Sequence, residues 1–259
     1  MTQLNKKTAL ITGGGTGIGR AIAIDLAKAG VEVTICGRRS EPLEDTVNEI
    51  SSDGGKARFV VADMTDPDSI EALAKDVLEQ GGVDILVNNA GFSSQVRSAR
   101  YVGAEEWRAV MDVNTMGPAM LTRHLLDPMI EKGHGDVVLI CSMAAITPSP
   151  VGGAAYSAAK TAARAYMNVL QQEMKPYGIR CMTVCPGEVD TPILENRPRV
   201  PNQQDRETMI QPEDVSAAVL MAVSLPQRTT VSEIAIATTI TRDRSADLEA
   251  ALNKQTSED

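Results

Sequence analysis

Aromatic residues are scarce: one Trp, four Tyr and two Phe in 259 residues, 3% of the chain. The apolar share is 43%, ordinary for a globular protein, so the core has to be aliphatic, built from Val, Ile, Leu, Ala and Met. No apolar run approaches the ~20 residues a membrane helix needs, and no membrane role is expected. The start, Met1-Thr2-Gln3-Leu4-Asn5-Lys6-Lys7, lacks the basic opening, long apolar stretch and cleavage site of a secretory signal. Basic residues are outnumbered, leaving a net charge of −9, which argues against a general nucleic-acid binder with its basic face. Part of that charge sits near the end, at Glu249 and Glu258-Asp259. The four cysteines, Cys36, Cys141, Cys181 and Cys185, form no CxxC pair and fall in or beside strand-like runs. Cys181 and Cys185 would share one strand face. Buried free thiols are therefore expected, with no metal site and no disulfide, in a cytoplasmic protein. No long Pro/Gly/Ser linker divides the chain, so residues 1–259 read as one domain.

What is there is an alternation of short β-branched runs and longer helical patterns. The strand-like runs are 8–11, 31–35, 57–61, 85–87, 136–140, 179–184 and 233–237. Helical patterns lie near 17–29, 41–51, 67–80, 104–132, 155–175 and 212–224, with a short one at 246–252. Several strand runs are continuously apolar, as in a parallel sheet covered on both faces. This is an α/β chain, a single doubly wound domain whose mostly parallel seven-stranded sheet is flanked by helices. The least regular stretch, Pro186–Pro212, is rich in proline and charge. It is too polar for core and too long for a connector, so a substrate lid is expected over about 188–212; the alternative is a solvated loop. The last residues are expected to fray.

Tyr156 and Lys160 stand four apart in a helical pattern, fourteen positions after Ser142, and side chains so spaced lie on one helix face. A phenol ordinarily ionises near pH 10, and an ammonium held beside it favours the phenolate. That pairing suits general acid–base chemistry near neutral pH. The first strand run enters Gly13-Gly14-Gly15-Thr16-Gly17-Ile18-Gly19 and then a helix, a turn that lets a backbone approach a pyrophosphate at the helix N-terminus. The second strand run ends at Cys36-Gly37-Arg38-Arg39 with no acid. An acid there bonds a ribose 2′-hydroxyl, whereas arginine accommodates a 2′-phosphate, so NADP is expected and NAD less so. The alternative is a pair of solvated surface arginines. Asp63-Met64, after the third run, stand where an adenine would lie, and Asn88-Asn89-Ala90-Gly91 end the fourth run at the sheet's carboxyl edge.

Together the glycine loop 12–19, Asn88-Asn89-Ala90-Gly91, Asn114, Ser142, Tyr156-x-x-x-Lys160 and Pro186-Gly187 resemble the short-chain dehydrogenase/reductase family, in its order, over about residues 8–240. The resemblance implies a Rossmann-type fold and an oxidoreductase interconverting a ketone or aldehyde and an alcohol by hydride transfer. It implies that Tyr156 is the proton donor and acceptor, that Lys160 favours its phenolate and holds the nicotinamide ribose, and that Ser142 bonds the substrate oxygen. It further implies that Asn114 holds a water linking Lys160 to solvent, that Val189 and Thr191 contact the nicotinamide amide, and that Asn88 lies near the ribose while bracing strands. A homodimer or homotetramer is expected in the same way, packing the helices that carry Asn114 and Tyr156; the small residues Ser157, Ala158, Ala159, Ala162, Ala163 and Ala165 permit close approach. Two places depart from the pattern. Thr16 stands where many NADP-using members carry a basic residue, and the last strand run lacks two closing glycines.

The substrate pocket is expected from Phe92, Ser93, Ser94 and Gln95, from 144–153 and from the lid, with apolar Ile146, Val151 and Leu194 beside polar Gln95, Arg97, Glu195 and Arg197. Arg97, Arg197 and Arg199 are expected to be solvated, though each could clamp an acid, and the expected substrate is a small or medium carbonyl compound. The other readings are an NAD-preferring dehydrogenase, a dinucleotide-binding regulator without turnover, and an epimerase with a transient hydride transfer.

Overall fold

A computed structural model describes residues 4–255. The opening Met1-Thr2-Gln3 and the acidic end at Glu258-Asp259, where fraying was expected, lie outside the described residues. Every expected strand forms: β1 (Thr8–Thr12), β2 (Glu32–Gly37), β3 (Lys56–Val61), β4 (Ile85–Asn88), β5 (Gly135–Ile140), β6 (Ile179–Pro186) and β7 (Glu233–Ile236). They make one sheet in the order β3-β2-β1-β4-β5-β6-β7, and every pairing is parallel. β4 and β6 are buried along their whole length, because helices cover both sides.

Alternation along each strand divides the core in two. Ile11, Ile35, Val87 and Val184 face one side, where α1 (Gly17–Lys28), α2 (Ser40–Ser52) and α8 (Pro212–Val223) bring Ile22, Leu43 and Val219. Leu10, Leu86, Leu139 and Cys181 face the other, against Leu73 of α3 (Pro67–Glu79), Leu121 of α5 (Gly117–Lys132) and Met167 of α6 (Ala154–Met174). Cys181 and Cys185 share that second side as expected, and all four thiols are free and buried.

Two expectations change. The helical pattern at 104–132 is not one helix: α4 (Ala104–Met111) passes into α5 through a π turn at Asp112–Met116. The cause is local. The Asn114 side-chain amide donates to the Val110 carbonyl at 2.8 Å, the acceptor an α-helical N–H at 114 would use, and a wide turn results. The segment 188–212, expected to form a lid, also buries more than its polarity suggested. It holds a 3₁₀ turn at Pro192–Asn196 and the short α7 (Gln203–Arg206), and bridges back on itself from Val189 to Ile210. Leu194, Met209 and Ile210 are buried. Its charges are not solvated but paired: Arg197 with Glu188, Arg199 with Asp205 and with Asp247, Arg206 with Asp190. Asp247 belongs to α9 (Ser245–Asn253), so the C-terminal helix is tied to the lid. No helix among the described residues is long and apolar enough to cross a membrane.

Candidate active site

Strand order reverses at β1, which has β2 on one side and β4 on the other, and the loops leaving β1 and β4 open a crevice at the sheet's carboxyl edge. Thr12 fastens its floor. Its Oγ1 accepts from the N–H of Asn89 (3.0 Å) and of Ala90 (2.9 Å), while Asn89 Nδ2 donates to the carbonyls of Thr12 (2.9 Å) and Gly13 (3.3 Å). Two adjoining chambers follow, sharing Gly13, Thr16, Ala90 and Gly91.

The smaller chamber, about 190 Å³, is lined by Gly15, Arg38, Arg39, Asp63 and Met64 among others. Arg38 and Arg39 are exposed and make no ion pair among the described residues, so their donors are available to an anion. The first turn of α1 points into the crevice. Thr16 caps it with no side-chain hydrogen bond, and no acidic residue stands in that turn, so the leading N–H groups are free for a phosphate. These donors fit a dinucleotide.

The larger chamber, about 320 Å³, gathers Asn114, Ser142, Tyr156 and Lys160 with Pro186, Gly187, Val189 and Thr191. Lys160, on α6, is buried; its Nζ donates to the Ile140 carbonyl at 3.0 Å and stands 5.7 Å from the centre of the Tyr156 ring. The Tyr156 hydroxyl has no partner among the described residues. Ser142 follows β5 and caps a short 3₁₀ turn, its Oγ accepting from Ala144 N–H at 3.1 Å. The cap orients the hydroxyl and leaves its proton for a substrate oxygen. Asn114 Nδ2 is held by the carbonyls of Phe92 and Val110, both at 2.8 Å, while its Oδ1 is buried without a partner. A Cβ on Gly91 would lie 2.5 Å from that Oδ1 and 3.4 Å from Lys160 Nζ. Gly91 therefore permits the approach of the two groups, and the orphaned oxygen suits a bound water.

Of the expected cofactor contacts, Asn88 and Gly19 do not line either chamber. Strand alternation turns Asn88 toward α5, where it donates to Thr122 Oγ1 at 2.9 Å. Gly19 packs α1 under the loop, where a Cβ would lie 2.3 Å from the Gly13 carbonyl oxygen. Cys141 and Arg244 line the larger chamber without having been expected there, and so does Asn89, expected only as part of the motif at the sheet's carboxyl edge. For Asn89 a signal existed, since the residue just past a strand end is the one free to turn into the crevice; for Arg244, far along the chain, none did. Of the expected pocket, Ser93, Val151 and Leu194 line the cleft, whereas Gln95 and Ile146 face outward. The Cys141 thiol donates to the Lys160 carbonyl at 3.3 Å, and its interaction with the buried Cys185 thiol holds Cys141 down and pushes Cys185 up.

Glu188, at the cleft wall, ties the lid to the C-terminal segment. Burial pushes its carboxyl up, but hydrogen bonds from Arg242 (2.8 Å) and Arg197 outweigh this and hold it at about 2. A carboxyl lowered in the folded state stabilises it above the unfolded value near 4.5, and that contribution fades as pH falls toward about 2. Hydrogen-exchange protection of α9, corrected for intrinsic rate, should hold steady down to pH about 4.5 and fall below it. In Arg242→Ala, which deprives Glu188 and Asp247 of a shared partner, it should already be lost at neutral pH. Unchanged protection in that variant would show that the ion pairs do not dock the helix.

The model of the short chain dehydrogenase family matches residues 7–201. An uncharacterized oxidoreductase of Staphylococcus aureus is 32% identical over 237 residues, covering 91% of this chain and 99% of its own. An alcohol dehydrogenase of the archaeon Thermococcus sibiricus, solved with 5-hydroxy-NADP, superposes with a TM-score of 0.84 at 29% identity, over 92% of this chain and 99% of its own. A 3-ketoacyl-(acyl-carrier-protein) reductase of Brucella melitensis, solved with NADH, gives 0.81 at 29% identity, over 90% and 98%.

Proposed function

We propose, from the premise that this chain belongs to the short-chain dehydrogenase family, that it is an NADP-dependent oxidoreductase interconverting a ketone or aldehyde and an alcohol, with Tyr156 as general acid and base. The observation that carries this reading is the single cleft in which Asn114, Ser142, Tyr156 and Lys160 meet, opening into the chamber lined by Arg38 and Arg39.

When bound, the nicotinamide supplies or accepts the hydride. Tyr156 gives its phenolic proton to the carbonyl oxygen in reduction and takes the alcohol proton in oxidation. Ser142 donates to the same oxygen, where negative charge develops in the transition state. Lys160, one N–H held by the Ile140 carbonyl, keeps donors for the cofactor ribose and a positive charge beside the phenol. Asn114 Oδ1 holds a water through which Lys160 recovers its proton. Val189 and Thr191 brace the nicotinamide amide, and α5 and α6 are the faces through which a homodimer or homotetramer assembles.

Arg38 and Arg39 support NADP, with Arg38 meeting the 2′-phosphate. Arg38→Ala should weaken NADPH binding about 10- to 100-fold, a charged hydrogen bond being worth about 1.5–3 kcal/mol, and leave NADH binding unchanged. Fluorescence titration of both cofactors measures this; tighter binding of NADH by the unaltered protein, with NADPH indifferent to the substitution, would overturn the preference. Oxidation of NADPH against a panel of carbonyl compounds tests the reaction itself. Tight cofactor binding with no turnover would favour a regulator, and product formed without net cofactor oxidation an epimerase.

A further inference from the structure

Arg97 is a buried charge to which the reaction above gives no task. Only 3% of it is exposed, and it lines the same cleft as Ser142 and Tyr156. Its guanidinium donates to the Gly152 carbonyl (2.7 Å) and to Ser93 Oγ (2.8 Å), while Nε is buried with no acceptor. Among the described residues it forms no ion pair. Of the two groups whose fields favour its charge, Tyr156 is a phenol and Glu106 is engaged by the N–H groups of Gln95 and Val96. Burial, and then repulsion from Arg197, draws its ionisation down to about 10, so it remains a cation at neutral pH. A buried cation without a counter-charge is costly, and an anion bound in the cleft would offset that cost.

The surroundings agree. The charged residues lining this cleft are Arg97, Lys160, Arg197 and Arg244 against Glu188 alone, in a chain whose net charge is −9. The wall also fixes the guanidinium in place. The Arg97 carbonyl accepts from the N–H of Ala154, the first residue of α6, so its backbone is registered to the helix that carries Tyr156. Gly153 has φ +86, and a Cβ there would lie 2.7 Å from Arg97 Cδ. Only glycine both adopts that conformation readily and leaves room for the arginine stem.

We propose that Arg97 recognises a carboxylate on the substrate, and that the enzyme acts on a short oxo acid and the corresponding hydroxy acid. The proposal rests on Tyr156 being the acid–base group, since that places the reacting carbon in this cleft. A guanidinium presents a planar fork matched to a carboxylate. The cleft must also admit the nicotinamide, which favours a short acid.

The test measures kcat/KM with NADPH and NADH for pyruvate, acetoacetate and levulinate, each against its methyl ester. Calorimetric titration of malonate and succinate into the NADP-saturated protein runs alongside. We expect at least one acid to exceed its ester about a hundredfold, the scale of losing a desolvated charge contact. Arg97→Met should collapse that ratio toward one, chiefly through KM, and abolish the carboxylate heat; Arg97→Lys should restore part of both. Should Arg97→Met fail to fold, the acid-to-ester ratio of the unaltered protein and the lysine variant still decide. Esters used as well as acids, or a substitution that lowers both equally, would reduce Arg97 to a staple for the Gly152 loop and overturn the proposal. So would an absence of carboxylate heat together with an absence of acid turnover. Neutral carbonyls reduced without preference leave the oxidoreductase reading standing; failure to bind either cofactor removes both.

Discussion

Tyr156→Phe is expected to lower turnover about 10²- to 10⁴-fold, the range that one positioned proton donor supplies, while NADPH binding stays within about twofold. The substitution removes a single oxygen whose hydroxyl has no partner among the described residues, so nothing in the fold depends on it. The ring keeps its place in α6 and its contact with Lys160, 5.7 Å away. Ser142 still donates a hydrogen bond to the substrate oxygen, its Oγ held by the Ala144 N–H, but an aliphatic hydroxyl is a far weaker acid than a phenol and does not give up its proton in place of Tyr156. Single-turnover rates with saturating NADPH separate the proton step from binding. A variant with more than about a tenth of the original rate would mean that another group supplies the proton.

Arg180→Met is expected to cost about 3–5 kcal/mol of stability, the scale of breaking a buried ion pair from one side. Arg180 on β6 and Asp136 on β5 are register partners, 5% and 1% exposed. They meet through two parallel bonds of 2.6 and 2.9 Å. The same guanidinium donates to the carbonyls of Val223, Leu225 and Thr229, closing the end of α8 and the segment after it. Methionine leaves the Asp136 charge and those carbonyls without their partner. In a chain of this size the melting temperature should fall by on the order of 10 °C. Adding Asp136→Asn should recover part of the loss, since much of it is the isolated carboxylate. Both residues lie toward the amino ends of their strands, away from the cleft, so kcat below the transition should change little. An unchanged melting temperature would mean that the pair is relaxed by water or by Lys7, 3.8 Å from Asp136.

Legibility differed from element to element. The strands were readable because a strand buried on both faces must be apolar without interruption, as β6 is. The candidates Ser142, Tyr156 and Lys160 were readable because the first follows a strand and the other two share a helix face, where local sequence places a side chain. The break at Asn114 was not, because a π turn needs one side-chain amide to win one carbonyl, an event without periodicity. Asn88 has the bracing half of its expected role, since strand alternation turns its side chain to Thr122 and away from both chambers. The pairing of Arg197 and Arg199 is not legible in the sequence because their partners, Glu188 and Asp247, become neighbours only after the 188–212 segment and α9 have folded.

By itself the sequence determined the sheet, the glycine-rich turn at its carboxyl edge and the Tyr156–Lys160 spacing on one helix face, all of which rest on residues near one another in the chain. Only the tertiary structure decided the charge of the larger chamber. Arg97, Gly152 and Arg244 come from three distant segments, and whether an arginine is solvated, paired or buried alone depends on what the rest of the chain packs around it. That distinction separates the carbonyl pocket of mixed lining implied by the resemblance from a cleft lined by a buried arginine without an ion pair among the described residues.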